Sequence, residues 1–116
     1  MMRLSMDEFE ELVADAIDSL PLEFLEQIDN VGFFVEEEPP ADAPGVFGLY
    51  EGIPLTERSQ YLDGALPDAI TIFKGPHERL CNSRAESREE IRRTVVHEIA
   101  HYFGMDEDQI DDMGYA

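Results

Sequence analysis

The segment His97-Glu98-Ile99-Ala100-His101, followed at once by Tyr102-Phe103-Gly104, sets two imidazoles one helical turn apart. Residues four apart on a helix share a face, so both rings can reach one ion. Glu98 points to an adjacent face, where it can touch a water on that ion without being a ligand. The same stretch carries a second pattern, because Ile91, Val95, Ile99 and Phe103 recur every four residues as an apolar stripe beside the histidines. Satisfying both patterns requires this helix to lie at the border between a core and a cleft, where ligand geometry can be held rigidly.

The bland alternative is a pair of surface histidines on a charged helix. Against it, these are two of only three histidines in the chain, and they sit in an apolar setting, Val95-Val96 and Ile99-Ala100. Catalytic zinc takes three protein ligands and leaves a fourth position for water. Gly104 falls seven residues after His97 and lets the chain reverse, which returns Glu107, ten residues after His97, towards the metal. Asp106 and Asp108 are rivals, since one residue of loop register decides between them. His77 is a further candidate, read as lying on a loop after a strand.

At 116 residues the chain is read as one domain, 1–116, with 43% hydrophobic residues and enough length for a core. The net charge of −19 repels phosphate backbones and anionic lipid, so nucleic acid and membrane are poor partners and cationic or neutral substrates are better ones. A solvated acidic face or an adaptation to salt explains the same charge more blandly. Cys81 is the only cysteine, which excludes an internal disulfide and reads as a buried filler. The N-terminus turns acidic before an apolar segment could form, and no apolar run is long enough to span a bilayer. A cytoplasmic location is therefore expected.

The apolar spacing from Phe9 to Leu20 predicts a helix from about Ser5 to Ile28, bent at Pro21. Strands are expected at Phe33–Glu36, Val46–Tyr50 and Ala69–Lys74, the last closed by Gly75-Pro76. Between the second and third lies a long irregular connection, Gly52 to Asp68, of the kind that is more often functional than idle. The second long helix is expected from Ser87 to Phe103. Its capping box is Ser87-Arg88-Glu89-Glu90, and Ser83-Arg84-Ala85-Glu86 competes with it. An acidic tail closes the chain from Met105.

Val95 to Gly104 resembles the signature of the minimal zincin-like metallopeptidase family of bacteria, whose members are short, cytoplasmic and single-domain. The resemblance extends to Gly48-Leu49-Tyr50-Glu51-Gly52-Ile53-Pro54-Leu55-Thr56-Glu57-Arg58 and to Ile70-Thr71-Ile72-Phe73-Lys74-Gly75-Pro76. It implies a zincin-like α+β fold, in which a small mixed sheet packs against an N-terminal helix and the H-E-x-x-H helix, with an edge strand beside the cleft. Two positions depart from the family's pattern. Glu107 stands where an aspartate is usual, and Tyr102 stands where many members have another histidine, off the ligand face.

The chemistry expected is hydrolysis of a peptide bond by a zinc-activated water. Zn2+ would be held by His97, His101 and Glu107, with Glu98 as general base. Tyr115 and Arg58 are candidate donors to the oxyanion. A carbonyl or carboxylate should accept the second nitrogen of each histidine. Two other readings compete. Endoribonucleases of rRNA maturation also pair histidines on a helix, but a glutamate directly after the first histidine does not fit them and the charge opposes RNA. The second is a non-catalytic zinc-binding domain whose acidic surface holds a basic protein; only hydrolysis needs Glu98.

Overall fold

Ser5 opens the first helix, α1 (Met6–Asp18), by accepting from the Glu8 N–H while the Glu8 carboxylate accepts from the Ser5 N–H. The computed structural model describes residues 2–52 and 68–114. Instead of one bent helix to Ile28, the chain makes α1 and a single turn, α2 (Leu22–Leu25). Pro21 explains the break: it has no N–H to continue α1, it disfavours helical geometry at Leu20, and its own position suits the start of α2.

Three strands follow in sequence: β1 (Val31–Glu36), β2 (Gly48–Glu51) and β3 (Asp68–Phe73). β3 is central, pairing in parallel with β1 (Phe33 opposite Ile70) and antiparallel with β2 (Gly48 opposite Ile72). Its run Ala69-Ile70-Thr71-Ile72-Phe73 is rich in β-branched residues, which suits the central position. Among the described residues β2 is an edge strand.

Gly75-Pro76 does not close β3 into a loop. Both residues lie in the first turn of α3 (Lys74–Leu80), where a proline breaks no helical hydrogen bond because no partner exists yet. The long helix α4 (Arg84–Tyr102) starts three residues earlier than Ser87, since Ser83 caps it by accepting from the Glu86 N–H. Ser87 is fully buried inside the helix. Within the acidic tail, α5 (Glu107–Asp112) forms behind an Asp106–Gln109 capping box.

One apolar cluster joins these elements. Phe9, Leu12, Val13 and Ala16 of α1 meet Ile70 and Ile72 of β3 and Ile91, Val95 and Ile99 of α4. Burial of each large side chain contributes about 1.5–3 kcal/mol before entropy is counted. The sheet and α1 thus clamp one face of α4. Cys81 is fully buried, as a filler would be. Among the described residues no helix is long and apolar enough to cross a membrane.

Candidate metal and catalytic site

His97 and His101 stand on the face of α4 next to the apolar stripe, each about one-fifth exposed, with ring centroids 4.9 Å apart. The chain then reverses in a Schellman turn: the Gly104 N–H donates to His101 O (2.9 Å) and the Met105 N–H to Ala100 O (3.1 Å). The turn requires a positive φ at its exit, 91° at Gly104, where a side chain would be strained. It also places Met105 O 3.1 Å from His101 Nδ1. With the proton on Nδ1 donated to that carbonyl, Nε2 keeps its lone pair for a ligand.

Asp106 spends its side chain on capping α5, its Oδ1 accepting from the Gln109 N–H at 2.8 Å. Glu107, first residue of α5, turns back to the histidines. Its Oε1 lies 2.8 Å from His101 Nε2 and 3.3 Å from His97 Nε2. One ligand atom from each of the three residues lies within 4.8 Å of the other two. Ligands on one tetrahedral zinc stand about 3.3 Å apart, given bonds of about 2.0–2.2 Å. Two imidazoles and a carboxylate are also a donor set that catalytic zinc accepts. The residues fit the ion.

Among the described residues the rival ligands are not part of this cluster. Asp106 is engaged as a cap, and Asp108 lies one residue further along α5. His77 is not on a loop at all. It is fully buried in α3, its Nδ1 donating to Phe73 O at 2.6 Å and its Nε2 2.9 Å from Thr94 Oγ1, with Phe9 and Phe47 against the ring. Burial pushes its pKa down, against the opposing pull of backbone carbonyls, so the ring is a neutral core group. Arg58 and Tyr115 lie outside the described residues.

Glu98 is buried at the boundary of α4 and β2. Burial pushes its carboxyl above the usual carboxylate range; Glu107 adds to the rise, while the charges of His97 and His101 and a backbone hydrogen bond from Tyr50 oppose it. Burial pushes Glu107 up too, but its bonds and charges with His101 and His97 outweigh that and hold it low. The two carboxylates therefore sit in opposite protonation environments within one cleft.

Sequence reasoning missed what seats Glu98. At Gly48 of β2, an added Cβ would stand 2.8 Å from Thr94 Cγ2 and 3.0 Å from Glu98 Cγ, so only glycine lets α4 approach this closely. A glycine inside a strand is the available signal of such an approach. The Phe73 N–H bonds Phe47 O at 3.0 Å, and antiparallel alternation then turns the peptide groups of Gly48 and Tyr50 away from β3. Gly48, Leu49 and Tyr50 line a cleft of about 650 Å³ together with Thr94, His97, Glu98, His101 and Glu107. Tyr102 faces the other way, buried, its hydroxyl 3.2 Å from both the N and the O of Asp29.

The family model for zincin-like metallopeptidases matches residues 28–115. The chain belongs to that family. The matched region holds the sheet, α4 and the Gly104 turn with Glu107, and leaves out α1. Among solved structures, the fold is similar to that of a conserved hypothetical protein from Thermo thermophilus, with a TM-score of 0.57 and 23% identity. That match covers 86% of this chain and 94% of the other. The zincin-like α+β fold expected from the sequence is the fold observed. No curated protein matches the chain.

Proposed function

We propose that this protein hydrolyses peptide bonds, with zinc held by His97, His101 and Glu107 and with Glu98 as general base. The observation that carries the reading is the convergence of three ligand atoms within 4.8 Å at the mouth of a cleft that also contains the buried Glu98 carboxyl. Zinc, when bound there, supplies Lewis acidity to water and to the scissile carbonyl.

The chain's own residues do the rest. His101 presents Nε2 because Met105 O holds the Nδ1 proton. Glu98 takes a proton from the attacking water on a carboxylate oxygen and passes it to the leaving amine. Its raised proton affinity suits a group that must both accept and return a proton near neutral pH. The outward peptide group of Gly48 on β2 offers an extended substrate a place to align, while the Tyr50 backbone is engaged by Glu98. The net charge of −19 favours neutral or basic peptides over nucleic acid or anionic membranes.

Glu98→Gln is expected to keep the metal and lose about 10²–10⁴-fold in turnover, read as cleavage of a peptide library by mass spectrometry alongside zinc content. The same acidic surface favours a second reading, a non-catalytic zinc domain that holds a basic protein. That reading gains if wild type and Glu98→Gln both carry zinc and neither cleaves any peptide.

A further inference from the structure

The cleft does not end at the metal-ligand cluster. Its lining includes Thr94 and Glu90 of α4, and Val46, Phe47 and Leu80 add apolar surface to it. Glu90 precedes His97 by two turns and lies on the same stripe of α4, about 10 Å away along the axis. Its side chain is half-buried, and among the described residues no ion pair engages it. Two nearby cations have partners on other elements: Arg92 donates to Ser19 Oγ (3.4 Å), and Arg93, which also borders the cleft, donates to Gly114 O (2.8 Å). Leu80 is 52% exposed although it is large and apolar.

We propose that this end of the cleft is a subsite for a lysine or arginine side chain of the substrate, with the aliphatic stem on Phe47 and Leu80 and the cation on the Glu90 carboxylate. An apolar wall leading to one carboxylate matches a side chain whose stem is apolar and whose head is charged. An extended peptide advances about 3.3 Å per residue, so the basic residue falls within about three positions of the scissile bond. The acidic surface draws such peptides in, and Glu90 decides which residue is seated. The subsite rests on the peptide-hydrolysis reading for its purpose, but its binding can be measured without turnover.

The test uses the zinc-loaded 116-residue chain and three short peptides of otherwise neutral sequence, carrying lysine, norleucine or glutamate at one position. Binding is followed by NMR shifts of the Glu90 and Leu80 amides, and cleavage by mass spectrometry on the same samples. The lysine peptide is expected to bind about fivefold more tightly than the norleucine peptide, as a partly exposed ion pair allows. Glu90→Gln should abolish that difference while leaving the norleucine affinity unchanged, and Glu90→Lys should turn the preference to the glutamate peptide. Equal binding of the three peptides to wild type, or a lysine preference that survives Glu90→Gln, overturns the subsite. A lysine preference without cleavage of any peptide supports the subsite and counts against hydrolysis alone.

Discussion

Gly48 shows how one missing side chain sets the position of the proposed base. Because β2 and α4 touch at its Cα, the Glu98 carboxyl is carried under the strand and meets the Tyr50 backbone. Gly48→Ala is expected to destabilise the fold by about 1–3 kcal/mol through overpacking. Since Thr94 and Glu98 must give way, peptide cleavage should fall more than the loss of folded protein explains. Comparing denaturant midpoints with activity per folded molecule separates the two effects. His97, His101 and Glu98 could be read from their spacing, because helical periodicity is a local property. Gly48 could be marked as a close approach but not assigned a partner, because that partner comes from an element about 50 residues away in sequence.

The α4–α5 corner is the element on which the ligand set depends. Gly104 reverses the chain, Met105 O orients His101, Asp106 caps α5, and Glu107 is delivered as the next residue. Asp106→Ala should cost about 1 kcal/mol of local stability, the usual loss of a helix cap. It should also weaken zinc binding without removing any of the three ligands, a loss that competition with a chromophoric chelator would measure. An unchanged zinc affinity would mean that Glu107 is held by something other than the cap. The return of the chain at Gly104 was legible, since a glycine at that offset predicts a reversal. The rivalry among Asp106, Glu107 and Asp108 was not, because the cap that occupies Asp106 forms only once α5 exists. α3 and α5 escaped notice for a related reason: seven and six residues hold too little periodicity to announce a helix.

Across the whole molecule, His77 of α3 ties α1, the residue before β2, the end of β3 and α4 together through Phe9, Phe47, Phe73 and Thr94. A lone histidine in sequence gives no sign of burial, and its reading as a loop residue failed because Gly75-Pro76 begins a helix. Burial lowers its folded-state pKa, whereas the unfolded chain binds the proton near the ordinary value of about 6.5. Its contribution to stability is therefore complete above that pH and declines as pH falls below it, at up to about 1.4 kcal/mol per unit. Urea unfolding of chelator-treated protein between neutral and mildly acidic pH should show this decline, and His77→Gln should flatten it. The three strand segments, the two main helices and the apolar stripe of α4 followed from apolar periodicity, whereas the mixed sheet packed on those helices followed only from the family resemblance. The order of strands followed from neither, since β1 and β3 pair in parallel across a long separation in the chain. The central claim, that His97, His101 and Glu107 form a zinc site, is tested most directly by elemental mass spectrometry after zinc loading and dialysis. One zinc per chain in the wild type, lost in Glu107→Ala, is the predicted result. A wild type without zinc, or a Glu107→Ala variant that retains it equally, would contradict the account.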